Sequence, residues 1–171
     1  YFTYSSSCDQ FMTIAKFRAA RRLWSHITKE CGVSSESQTQ SQHAITSNKT
    51  MSKKDPWFNS FQATVAAFAA GIGGAQAITV VPFPLSDEIS GEELKRRMAR
   101  NTQLLLAEES HIGRVIDPAG GSWFVEELTE HLAQKSWDIF QQIESSGGIT
   151  EVLKNEQKIK EVLRIRGSNH E

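Results

Sequence analysis

Apolar positions near the start of the chain recur at steps of three and four. Phe11, Ile14, Phe17, Trp24, Ile27 and Cys31 share one helical face, with Asp9 placed as an N-cap and Gly32 closing the run. The following residues 33–42, VSSESQTQSQ, have no apolar period and are predicted to be a polar loop. The segment after that loop is too short to assign. Asp55 and Pro56 then open a second helix, in which Phe58, Phe61, Val65, Phe68 and Ile72 mark the expected buried stripe before Gly73 and Gly74. Ala77 to Phe83, AITVVPF, is a continuous apolar run with β-branched residues, which predicts a strand covered on both faces.

Ser90 and Glu93 are spaced as a capping box, and Leu94, Met98 and Leu105 carry a third helix to about Glu109. Arg114 to Ile116 is a brief strand candidate leading into the turn DPAGGSW. Leu128, Leu132, Ile139 and Ile143 define a further helix that Gly147 and Gly148 end. A lysine-rich segment to Ile165 predicts a weaker helix, with a frayed GSNHE terminus. Helices alternating with strands predict an α/β fold with a parallel sheet. Two or three strands leave edges and a face uncovered, so the pattern points to part of a larger assembly.

Composition narrows the functional classes. With 171 residues and 39% apolar side chains, the chain is long enough for one cored domain that buries roughly 70% of its unfolded surface. Nineteen basic and twenty acidic side chains leave a net charge of −1, so no global field directs the protein to nucleic acid or to a membrane. Cys8 and Cys31 have no paired spacing, which suits a reducing compartment, and a cytoplasmic location is expected. The apolar stretch around residues 64–81 is interrupted by Gly71, Gly73 and Gly74 and does not read as a spanning helix. The start YFTYSSSCDQF lacks the pattern of a signal peptide, and the missing initiating Met fits an excised piece. His26, His111, His131 and His170 share no ligand spacing, so no metal site is expected.

Four strings in one order carry a resemblance: FMTIAKFRAARRLW (11–24), HAITS (43–47), KDPWFNSFQATVAAFAAGIGGAQAITVVPF (54–83) and RRMARNTQLLLAEESHIGRVIDPAGGSWFVEELT (96–129). Together they resemble the second half of the substrate-binding barrel of the methylmalonyl-CoA mutase family. The resemblance implies a partial (β/α)8 barrel of TIM type, with residues 1–171 a single domain supplying the last few βα units. Coenzyme A threads such a barrel, and the implied chemistry is the adenosylcobalamin-dependent isomerisation of methylmalonyl-CoA to succinyl-CoA. The Asp-x-His-x-x-Gly fingerprint of the cobalamin-binding domain is missing, so no lower axial ligand is expected from this chain and no cofactor is expected on it alone.

Departures from the family pattern sharpen that expectation. Catalytic members carry His-x-Gln-Thr-Ser-Gly-Trp where this chain has His43, Ala44, Ile45, Thr46, Ser47, Asn48 and Lys49. After the Gly-Gly they continue Thr-Gln-Ser-Leu-His-Thr-Asn, where this chain runs from Ala75 through Gln76 and Thr79 to Val81. The pattern is closer to the small, non-catalytic subunit of heterodimeric mutases, and the chain alone is expected to be inactive. A large catalytic subunit is the implied partner. The other reading is an autonomous scaffold that self-associates through half-barrel edges.

His43, Gln76 and Thr79 are the candidate substrate or cofactor contacts. His43 reads as a hydrogen-bonding group for an acyl-CoA carbonyl or as a remnant of a catalytic ancestor. Gln76, just after the Gly-Gly turn and before the strand, reads as a ligand contact of the kind barrels make at the C-terminal ends of strands or in their loops, or as a structural hydrogen-bonding group. DPAGG, residues 117–121, reads as a phosphate cradle or as a tight turn. Arg96, Arg97 and Arg100 read either as contacts for the phosphates of coenzyme A or, in the favoured reading, as a solvated face forming ion pairs with Glu92, Glu93 or Glu108.

Overall fold

A computed structural model describes residues 1–49, 51, 55–82, 91–155 and 159. The described chain falls into two compact units, the first Tyr1–Glu130 and the second beginning at His131. In the first unit the elements run β1 (Phe2–Ser6), α1 (Gln10–Glu30), β2 (Gln42–Thr46), α2 (Pro56–Ile72), β3 (Ala77–Thr79) and α3 (Glu92–Leu104), which continues as a π-helical segment over Leu105–Glu109. Helix α4 (Trp123–Ser145) begins in this unit, and its remainder belongs with α5 (Ile149–Lys154) in the second.

Both anticipated caps are present. The Asp9 carboxylate accepts from the Met12 N–H at 3.2 Å and that of Asp55 from the Phe58 N–H at 3.1 Å, each satisfying a donor the first helical turn leaves open. Phe83, Ser90 of the capping box, residues 156–158 and 160–165 of the lysine-rich segment, His170 and the GSNHE terminus lie outside the described residues. Helix α3 begins after Gly91, which contributes no side-chain cap.

The three strands form one parallel sheet in the order β1-β2-β3. Thr3 lies opposite His43 and Ser5 opposite Ile45, while His43 and Ile45 lie opposite Ala77 and Thr79. Strand alternation therefore places Thr3, Ser5, His43, Ile45, Ala77 and Thr79 on one face. On the other face Tyr4, Ala44 and Ile78 pack against Phe17 of α1 and Ala70 of α2. The helices cover this face, whereas the His43 face is half-buried or exposed. The strand around Ala77 is thus covered on one side, a correction to the expectation of two. It ends at Thr79, well short of Phe83.

Packing of α2 also departs from its apolar pattern. Its buried positions are Asn59, Ala63, Ala66, Ala67, Ala69 and Ala70, whereas Phe58 and Phe61 are 47% and 60% exposed and stack on each other with centroids 5.7 Å apart. Small side chains let α2 approach α1 closely. A Cβ built on Gly73 would lie 3.1 Å from the Cβ of Phe17, tighter than ordinary contact. Bulky rings could not occupy that seam, so the alanine stripe outcompetes the aromatic one.

Arg114–Ile116 forms no strand. It lies in a series of turns and bends, with Ile116 97% exposed and Asp117 in the left-handed region at φ 49°. Among the described residues nothing pairs with its backbone as a ladder would. In the second unit Trp137 and Phe140 pack with centroids 5.2 Å apart, and Gly147 and Gly148 end α4 at φ 97° and 84°. No described helix is long and apolar enough to cross a membrane.

Candidate functional site

The uncovered sheet face brings two of the three candidate residues together. His43 Nε2 and Thr79 Oγ1 lie 2.8 Å apart across β2 and β3, within hydrogen-bonding distance for either ring tautomer. The Tyr1 ring flanks the imidazole at 6.5 Å with a 58° tilt. A half-exposed imidazole held by a hydroxyl can donate to, or accept from, a ligand through its second ring nitrogen. Among the described residues its hydrogen-bond partner is Thr79, and none of their carboxylates orients it as a general base or metal ligand would be oriented.

Gln76 is not part of this pair. It immediately precedes β3, as the sequence order predicts, and so lies at the N-terminal end of that strand, away from the strand C-terminal ends and their loops where barrel ligands bind. Its Oε1 accepts from the Gln42 N–H at 2.7 Å while its own N–H donates to the Gln42 carbonyl at 3.0 Å. The side chain thus extends the β2–β3 pairing by supplying the acceptor that a further strand residue would have offered.

Sequence reasoning missed a polar network on the covered face. Gln42 is fully buried, and its Oε1 accepts from Arg21 Nη1 at 2.6 Å while its Nε2 donates to the Phe17 carbonyl at 2.9 Å and to Gln40 Oε1 at 2.6 Å. Gln40 Nε2 in turn reaches the Tyr4 hydroxyl at 3.2 Å, and burial pushes the pKa of that phenol up, with Gln40 opposing the shift. The available signal was a polar residue in phase with the buried positions of β2, beside the arginines of FRAARRLW.

The DPAGG turn is held from within. Arg18 pairs with Asp117 and, at 2.6 Å, with Glu126. The Gly120 N–H donates to the Asp117 carbonyl at 2.9 Å, that of Gly121 to Glu126 Oε1 at 3.1 Å and that of Ser122 to the Ala119 carbonyl at 3.3 Å. With those N–H groups engaged, the turn has few free donors for a phosphate, and its glycines serve the chain reversal. The Gly121 N–H and then Arg18 hold the Glu126 carboxyl below its ordinary pKa. Arg96, Arg97 and Arg100 line a shared groove on α3 with Glu92 and Glu93, but Glu92 pairs with Lys95 at 3.1 Å. The three arginines are exposed, as a solvated face requires, but among the described residues they form no ion pair with a glutamate, contrary to the expected pairing.

Consecutive parallel strands joined through helices that cover one face define an α/β protein built of βα units, with its polar face opposite. The sequence model of the methylmalonyl-CoA mutase family matches residues 1–168, and the chain belongs to that family. It is 49% identical over 156 residues to the methylmalonyl-CoA mutase small subunit of Streptomyces virginiae, covering 90% of this chain and 25% of that protein. It is 41% identical to the small subunit from Propionibacterium freudenreichii subsp. shermanii over 93% of this chain and 25% of that protein. Against the Escherichia coli methylmalonyl-CoA mutase the identity is 35%, over 89% of this chain and 21% of that protein. The chain therefore spans about a quarter of the length of these relatives.

Adenosylcobalamin, the cofactor this family implies, needs an axial nitrogen ligand and a corrin seat. On the open face the imidazole is that of His43, whose Nε2 lies against the Thr79 hydroxyl and whose second ring nitrogen is left for a ligand. Among the described residues no three His, Cys, Asp or Glu side chains gather to hold a metal ion.

Proposed function

We propose that this chain is a small-subunit-type segment of the mutase barrel, supplying its last few βα units in a structural role. Methylmalonyl-CoA isomerisation, cobalamin and the reacting centre belong to a large catalytic partner subunit in this reading. The observation that carries it is the sheet itself. Three parallel strands are covered by helices on one face only, the opposite face is lined by Thr3, Ser5, His43, Ile45, Ala77 and Thr79, and the outer edges of β1 and β3 pair with no described strand. In a (β/α)8 barrel the bare face becomes the interior and both edges are paired.

His43 and Thr79 would then face an acyl-CoA. The imidazole could hydrogen-bond a thioester carbonyl, but without the neighbouring Gln of catalytic members, replaced by Ile45, that contact orients the ligand without completing a reactive site. Gln76 is a weaker candidate, because its carbonyl oxygen is already committed to Gln42.

The test is light scattering of the purified chain with and without the large mutase subunit, followed by a mutase assay of any complex. A complex of defined ratio that is active only when the large subunit is present supports the proposal. A chain that self-associates and ignores the large subunit overturns it in favour of the autonomous scaffold.

A further inference from the structure

On the covered side of the sheet, beneath the N-terminal ends of β2 and β3, lies a cavity of ≈ 320 Å³ whose walls include Arg21 and Ser25 of α1, Ser35 and Thr39 of the following loop, and Gln76. Arg21 is the charged member. Its Nη1 donates to Gln42 Oε1 at 2.6 Å and to the Gly74 carbonyl at 3.3 Å, both neutral acceptors. No described carboxylate forms an ion pair with it, although on the same helix Arg18 pairs with Asp117 and Glu126 and Arg22 with Glu130. A guanidinium presents five N–H donors, so the contacts to Gln42 and Gly74 leave others for a ligand.

The site is shaped around that group. Gly74 has φ 82°, and a Cβ there would lie 3.1 Å from both Nη1 and Nη2 of Arg21, so glycine lets the guanidinium lie against the turn. This gives the Gly-Gly of the sequence a role beyond ending α2. Burial works against the Arg21 charge, Asp117 opposes that effect and Arg18 adds to it. A half-buried cation facing hydroxyl and amide donors, with no bonded counter-charge, is a seat for a negative group.

We infer that this cavity binds a small oxyanion, a phosphate or carboxylate group, held by the free edge of the Arg21 guanidinium and by the hydroxyls of Ser25, Ser35 and Thr39. The site is separate from the His43–Thr79 face and does not depend on the mutase reading, since Gln42 and His43 point to opposite sides of β2. Phosphate matches the cavity better than carboxylate, because hydroxyls from α1 and from the loop can meet a tetrahedral group from different directions.

The experiment is an amide NMR titration of the full chain with inorganic phosphate and, separately, with acetate, both at millimolar concentration. The expected result is saturable shifts centred on residues 35–40 and 74–76, larger for phosphate, with Arg21→Lys weakening binding about tenfold by losing the fork geometry. Because Arg21 also bonds Gln42, a second variant combining Ser35→Ala with Thr39→Val tests the site without touching that contact and is expected to weaken binding several-fold. Dominant acetate shifts at the same amides would keep the oxyanion seat and assign it to a carboxylate. The inference is overturned by shifts confined to Arg96, Arg97 and Arg100, by no response, or by a double variant that binds as the parent does.

Discussion

Gln42 and His43 stand side by side in β2, and the pleat sends them to opposite faces of the sheet. Gln42 is fully buried, and its side chain bonds Arg21, Gln40 and the Phe17 carbonyl. His43 is half-buried, with one recorded hydrogen bond, to Thr79. A buried amide without partners is costly, so Gln42 on the covered face has both ends of its amide bonded, whereas solvent can satisfy groups on the open face. The polar residue that holds the fold is therefore one position away from the polar residue open to a ligand.

That contrast is best broken at Gln42. Gln42→Leu keeps the bulk but strands the Arg21 guanidinium and the Phe17 carbonyl, and should cost about 3 kcal/mol in urea denaturation. A loss below about 1 kcal/mol would mean the network is not what holds the covered side. Gly73→Ala probes the same side by crowding, since its Cβ would press on Phe17 and on the Ala69 carbonyl. Part of that strain is offset by reduced unfolded-chain entropy, and a net loss of about 1 kcal/mol is expected from the same measurement.

Glu126→Gln removes a charge held by the Gly121 N–H and Arg18. Because the folded pKa is lowered, the carboxylate's contribution is present above its unfolded pKa of about 4.3 and is lost as pH falls through the lower folded value. Parent and variant should differ near neutrality and converge in acid when Tm is followed against pH. A difference that persists unchanged in acid would point to packing instead. The smallest effect is expected from Thr79→Val on the open face, where a lost hydrogen bond is offset by a good strand former and the change should stay within about 0.5 kcal/mol. A large loss there would erase the contrast between the two faces.

Legibility in the sequence followed the same division. Asp9 and Asp55 announced their helices because a cap is a local device, satisfied within three residues of itself. Strand β1 gave little notice, since FTYSS is short and serine-rich and gains its pairing from residues 40 positions away. Phe58 and Phe61 looked like core by hydrophobicity, yet the tight α1–α2 seam selected alanines. Val115 and Ile116 looked like a strand, yet no ladder neighbour exists for them among the described residues. Of the candidate site, the His43–Thr79 pairing required the β2–β3 register, and although Gln76 was legible as the residue before the strand starting at Ala77, its commitment to Gln42 was set only by the strand pairing.

The sequence by itself determined the alternation of helices with short apolar runs, the helix starts and the family, because caps, periodicity and ordered motifs are properties of neighbouring residues. Only the tertiary structure decided which face of each element is buried, which polar residue serves the core and which stays open, and where Arg21 bonds neutral acceptors instead of a described carboxylate. Those outcomes depend on how closely two backbones approach and on which strand lies opposite, and both are set by contacts between residues distant in the chain.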